Sequence, residues 1–198
     1  MESPTELQLD ALREVTNIGV GQAASALSRL VGGRAVRIDV PRAHVADRST
    51  LPSLLEIPAE PLLVASFEVL GELWGQLLMV MTQADARRLA RILTGSSGNA
   101  ELERSALSEA GNIVASACLS AIGDLARMTL LPSIPAVVEQ VDGALLLEEA
   151  LHEVEAGPGL GVVLEARFVA STELPVSGQI LMVPALSSVK RLLQRLGV

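Results

Sequence analysis

Six polar side chains recur at one spacing along two otherwise apolar stretches: Asp10, Glu14 and Asn17, then Ser105, Glu109 and Asn112, with Pro41 and Pro135 downstream. Steps of four and then three residues return a helix to nearly the same side, so each triad falls on one stripe. A carboxylate on such a stripe can pair with a partner's cation, and an amide can hold a water by donating and accepting hydrogen bonds. Asn is a poor helix former, so each mid-helix Asn costs several tenths of a kcal/mol against Ala. Its presence in both copies asks for a use, although a duplicated fold can also keep such residues for capping or packing.

The stripes do not make a self-contained catalyst. Ser105 has no histidine beside it, and the two histidines, His44 and His152, sit in unmatched segments and read as ordinary surface residues. One carboxylate and one amide per stripe fall short of a metal-ligand set. The glycines of residues 17–22 lack the Lys and the preceding strand of a phosphate-binding loop. Such a surface could catalyse hydrolysis only of an electrophile that another molecule brings with its own metal.

The elements that must carry the stripes form an internal repeat. Residues 5–31 and 100–126 share an acidic start, spaced leucines, the element Glu-x-x-Asn-Ile and a tract of small residues. The first predicts a helix opened by Ser3-Pro4-Thr5-Glu6, with Ser3 as cap, Pro4 in the first turn and Glu6 closing a capping box, and ended by Gly32 and Gly33. Residues 35–41 and 128–135 predict an early strand in each copy. Residues 61–70 with 75–80, and 161–171 with 178–183, predict hairpins of buried strands. Amphipathic helices follow at 83–94, capped by Thr82 with Asp85 and ended by Gly95, and at 185–196.

Between early strand and hairpin, residues 42–60 read as a polar connection, while 136–158 are longer and hold the stretch 143–154. Residues 96–99 mark the join. The expectation is a single domain over 1–198, made of repeats at about 1–95 and 96–198. Its class is α/β of the α+β type: a pseudo-two-fold pair of helix-strand-hairpin-helix units sharing one mainly antiparallel sheet, with helices packed on it.

Composition narrows the function classes. The 198 residues are 49% apolar but 2% aromatic, with a formal net charge of −8 and no basic cluster, which argues against nucleic-acid binding. No apolar run reaches the roughly 20 residues that span a bilayer, and the polar amino terminus does not read as a secretory signal, so no membrane partner and a cytoplasmic location are expected. The single cysteine, Cys118, lies in an apolar stretch and reads as a buried structural thiol.

At the triads the chain resembles the CheC family of chemotaxis phosphatases, relatives of CheX and FliY. The family motif is Asp or Ser, three residues, Glu, two residues, Asn, twenty-two residues and Pro. Ser105, Glu109, Asn112 and Pro135 match throughout, and Asp10, Glu14, Asn17 and Pro41 match but for one extra residue before the proline. The resemblance extends through residues 17–24 to both Gly-Gln-led strands. It implies hydrolysis of the phospho-aspartate of a CheY-type response regulator. Asn17 and Asn112 would position the attacking water, and Glu14 and Glu109 would pair with the receiver's lysine. Asp10 and Ser105 would support the helix or the docking surface, and Pro41 and Pro135 would end the strand after each motif helix. No cofactor of its own is implied, since the receiver carries Mg²⁺.

The resemblance makes the second site slightly the better one, its motif being complete. Two motifs disfavour a CheX-like chain, and nothing after Val198 suggests the extra domain of a FliY-like one. Family members of this kind also bind CheD, and 143–154 lies where that partner would dock, its leucines equally compatible with core packing. A non-catalytic receiver- or CheD-binding adaptor and a flagellar switch component are the alternatives.

Overall fold

The computed structural model describes residues 4–95, 98–155, 159–170 and 175–198. Two parallel sets of elements follow one another: α1 (Glu6–Leu30), β1 (Val36–Ile38), β2 (Arg42–Asp47), α2 (Leu51–Leu54), β3 (Leu62–Gly71), β4 (Gly75–Thr82) and α3 (Gln83–Thr94), then α4 (Ala100–Ala126), β5 (Leu130–Pro132), β6 (Ala136–Val141), α5 (Gly143–Val154), β7 (Leu160–Ala170), β8 (Val176–Pro184) and α6 (Leu186–Leu196). The mixed helix and antiparallel-sheet class is as expected, but each unit holds one strand and one helix more than the sequence patterns show.

All eight strands join one antiparallel sheet in the order β1-β7-β8-β4-β3-β5, with β2 continuing beside β7 and β6 beside β3. The early strands of each unit therefore pair with the hairpin of the other. Each half completes its sheet edge with a strand from its neighbour, so the halves interlock instead of merely abutting.

Alternation along the strands builds two cores. Leu63, Ala65, Phe67 and Val69 of β3 face the layer of α1, α3, α4 and α6, whereas Leu62 and Val64 face α2 and α5. The long helices α1 and α4 cross at Gly19. A Cβ there would lie 2.9 Å from Ile122 Cδ1 and 3.0 Å from Cys118 Sγ, so only glycine permits this approach. Cys118 is buried in that crossing, and burial pushes its thiol up to about 12, as a structural cysteine requires.

Several local expectations are corrected. Ser3 lies outside the described residues, and the cap of α1 is Thr5: its Oγ1 accepts from the Gln8 N–H at 3.3 Å while Gln8 Oε1 accepts from the Thr5 N–H at 3.1 Å. Thr-x-x-Gln thus makes the box that Ser3 and Glu6 were expected to make, and Pro4 precedes the helix. Residues 96 and 97 of the expected join also lie outside the described residues, and Asn99 caps α4 through its Oδ1.

The early strands are shorter than 35–41 and 128–135, and β2 and β6 occupy segments read as connection. α4 is long and apolar enough to cross a bilayer by length and composition, contrary to expectation, but half of its apolar window is buried against the sheet and its neighbouring helices. Of the expected α5 leucines, Leu146, Leu147 and Leu151 are core and only Leu145 is exposed, at 63%.

Candidate functional site

Each triad lies on one solvent-facing helix stripe. Asp10, Glu14 and Asn17 are exposed on α1; Ser105 and Glu109 are exposed and Asn112 half-buried on α4. Their neighbours on the opposite face, Leu12, Val15, Leu107 and Ala110, enter the cores, which fixes the rotation of each helix and so the aim of the stripe. Asp10 accepts from Arg13 Nη1 at 2.7 Å, an exposed pair within one turn. Among the described residues, Glu14, Asn17, Glu109 and Asn112 have no hydrogen-bond or ion-pair partner, so their groups are free to meet another molecule. Asn17 also lines an open groove of about 530 Å³ between α1 and the segment of Ala35, Val36 and Ile38.

The extra residue before Pro41 is absorbed where α1 ends. Gly32 and Gly33 both take left-handed backbone, at φ 79° and 77°, whereas α4 turns through Arg127 alone, at φ 54°. The triad upstream and the edge strand downstream keep their places.

Neither proline ends a strand. Ile38 pairs with Phe168 and Arg42 with Glu165, so residues 39–41 face only 166 and 167. Pro132 pairs with Val69 and Ala136 with Ser66, so 133–135 face only 67 and 68. Both are β-bulges with three residues opposite two, and in each the first residue keeps its ladder bond: the Asp39 N–H donates to Arg167 O, and the Ser133 N–H to Glu68 O, both at 2.9 Å. Pro41 and Pro135 are the last bulge residues, where no ladder donor is required.

His44 is not an ordinary surface residue. Its Nε2 lies 2.9 Å from Oε2 of Glu165, which is only 2% exposed, and Arg167 bridges Glu165 at 3.0 Å and Glu56 at 2.8 Å. The hydrogen bond to His44, reinforced by Arg167, holds the Glu165 carboxyl below the ordinary carboxylate range in spite of burial. The hydrogen bonds that Arg167 donates, first to Glu56 and then to Glu165, push its guanidinium up. This network fastens β2 to β7 beside the first bulge. Its one sequence signal was an acidic residue within the apolar stretch 161–171. His152 is exposed, as expected. Among the described residues, no group of three or more His, Cys, Asp or Glu could hold a metal ion.

The stripes can orient a water and grip a cation, and two of them stand on equivalent helices. The CheC-like family profile matches residues 7–45, which contain the first triad and Pro41. The chain is 31% identical over 199 residues to the CheY-P phosphatase CheC of Bacillus subtilis (strain 168), covering 97% of this chain and 95% of that protein. Its fold matches Thermotoga maritima FliY with a TM-score of 0.76 at 22% identity, over 98% of each chain. It also matches a chain of the CheX-CheY-BeF3-Mg²⁺ complex from Borrelia burgdorferi with a TM-score of 0.55 at 13% identity, over 85% of this chain and 95% of the other.

Proposed function

The chain belongs to the CheC-like family, and on that premise we propose that it hydrolyses the phospho-aspartate of a CheY-type response regulator in the cytoplasm. The observation that carries this reading is the pair of unpartnered, solvent-facing Glu-Asn sets, Glu14 with Asn17 and Glu109 with Asn112, on equivalent helices. The Asn amide enters the receiver's site and accepts from and donates to a water in line with the phosphorus. Water oxygen attacks as the bond from phosphorus to the aspartyl oxygen breaks, releasing phosphate and restoring the carboxylate. The Glu carboxylate pairs with the receiver's lysine and fixes the approach; a Mg²⁺ held by the receiver would supply charge neutralisation at the phosphoryl oxygens. Phosphoryl transfer needs positioning and charge more than covalent help, which suits a surface without a nucleophile.

The test is phosphate release from a phosphorylated receiver by wild type, Asn17→Ala, Asn112→Ala and the double variant. Removing one positioning group costs on the order of 10²-fold at its site, so the double variant should lose nearly all turnover and each single variant only the share of its own site, the larger share with Asn112→Ala. A double variant as active as wild type overturns the reading, and tight receiver binding without hydrolysis by wild type makes the protein an adaptor. Glu109→Lys should weaken receiver binding, where Asn112→Ala should leave it nearly intact. A CheD-type partner at α5 would have to engage Leu145 and the exposed acidic residues, because Leu146, Leu147 and Leu151 are core.

A further inference from the structure

The two most exposed large apolar side chains among the described residues are Ile134, at 92%, and Val40, at 86%. They occupy the same place: each is the middle residue of a three-against-two bulge, directly before the motif proline. Neither joins either core, so the fold does not require their hydrophobicity. A bulge on a sheet edge is where polar or charged residues normally discourage association, so two β-branched aliphatics at equivalent bulges run against the expected choice.

Their neighbourhood is the motif face. The groove lined by Ser28 and Asn17 of α1 includes Ile38, the residue that precedes the first bulge, and Val40 is the second residue beyond it, at a small cleft with Arg42, Glu165 and Arg167. In the second unit the Arg104 guanidinium donates to Val137 O at 2.8 Å, tying the helix turn before Ser105 to the strand that follows Ile134. The strands on both sides of each bulge pack on the motif helix of their own unit, β1 and β2 on α1, β5 and β6 on α4. Each aliphatic thus lies on the edge beside a helix whose carboxylates, Asp10 and Glu14 or Glu109, are exposed, and Asp39 adjoins Val40.

We propose that Val40 and Ile134 are the apolar anchors on which the phosphorylated receiver seats while Glu14 or Glu109 takes its lysine, an inference that rests on the function proposed above. The occupant follows from charge: an acidic stripe on a chain of net charge −8 fits a surface with a basic group beside an acyl phosphate, not a second acidic copy of this chain. An aliphatic rim beside a charged grip is the mixed footprint of a non-obligate interface. Burial of one such side chain contributes on the order of tenfold in affinity. The proline before the second strand segment acquires a role as well: it holds the bulge that presents the anchor.

The experiment uses single-site backgrounds. With Asn112→Ala present only the first site turns over, and adding Val40→Ser should raise KM for the phosphorylated receiver about tenfold with kcat unchanged, while adding Ile134→Ser should change neither. With Asn17→Ala present the pattern should invert. Binding to a receiver activated by beryllofluoride and Mg²⁺ is measured on the same variants, and because the Asn→Ala site still docks, each serine should weaken one of two docking sites about tenfold and leave the other. Unchanged KM and binding for both serine variants overturns the proposal, as does a loss of self-association in the variants with receiver binding intact. If wild type binds the activated receiver but releases no phosphate, the catalytic reading fails and the binding arm still decides the anchors.

Discussion

The two sheet edges carry the same motif on different foundations. At the first, β2 is fastened to β7 by His44, Glu165 and Arg167, a polar network whose central carboxylate is almost fully buried. At the second, the register places Val138 and Ser66 where the first has His44 and Glu165, and no ion pair joins β6 to β3 among the described residues: Ser66 Oγ donates to Ala136 O at a long 3.4 Å, and Ser133 Oγ accepts from the Glu68 N–H at 2.9 Å. The single turn of α2 packs on β2 of the first edge, whereas the three turns of α5 pack on β4 and β8 in the middle of the sheet, with Gln76 bonded to Glu153. The stripes and bulges are held in common while the support beneath them has diverged. What must be kept is the solvent face; the means of holding an edge strand is interchangeable.

The largest expected effect tests whether the common face works twice. The double variant Asn17→Ala with Asn112→Ala should lose about 10²-fold or more in phosphate release. Of the single variants, Asn112→Ala should cost more than Asn17→Ala, because Asn112 is half-buried and so better preorganised than the exposed Asn17. Equal residual rates in the single variants would show that the divergent foundations do not reach the catalytic face.

Next in size is the contrast between foundations. Glu165→Ala strands His44 and removes one of two carboxylates from Arg167, and should destabilise by about 3 kcal/mol, at the low end for a buried pair because Arg167 keeps Glu56. Ser66→Ala should cost about 0.5 kcal/mol or less. Denaturant midpoints measure both. The same carboxyl gives a pH signature. Its folded value lies below the ordinary 4.5, so its contribution is present above that value and fades as pH falls through it. Wild type should therefore lose stability below about pH 4.5 more steeply than Glu165→Ala.

How much of this was legible in the sequence differs between the faces as well. The triads, both hairpins, α3, α4 and α6 were readable because each is local: a helical period, a strand run or a cap within a few residues. The network was not, since His44 and Glu165 are 121 residues apart and meet only through the exchange of edge strands between units. β2 and β6 escaped notice for the same reason. Their strand character comes from the far hairpin they pair with, and Pro41 and Pro135 looked like strand ends when they mark bulges. The triad positions were legible; their anchors were not, because an exposed valine or isoleucine is unremarkable until its exposure is known.

Gly19 tests the crossing that sets the two helices against each other. Val114 of α4 occupies the matching position and is buried, so the crossing tolerates bulk on one helix only. Gly19→Ala should destabilise by about 2 kcal/mol, since the new methyl meets Ile122 and Cys118 at or below contact distance. Ile122→Ala removes both side-chain carbons that stand at 2.9 Å, Cδ1 and Cγ1, and in a thermal melt should recover part of that loss, costing less in the Gly19→Ala background than in wild type. Absence of any recovery would place the strain in the backbone instead of at this contact.

The smallest effect bears on the one chemical difference between the triads themselves. Asp10→Ser gives the first stripe the residue of the second and removes only an exposed pair with Arg13, whose side chains are 46% and 68% accessible for Arg13 and Asp10. Such pairs contribute about 0.5 kcal/mol or less and are screened by salt. The thermal midpoint should therefore move by no more than about 2 °C, and by less at high ionic strength. If Asp10 serves only its own helix, phosphate release in the Asn112→Ala background should be unchanged. A several-fold rise in KM there, with the midpoint held, would instead put Asp10 on the docking surface and give the first face a charge contact that Ser105 does not supply to the second.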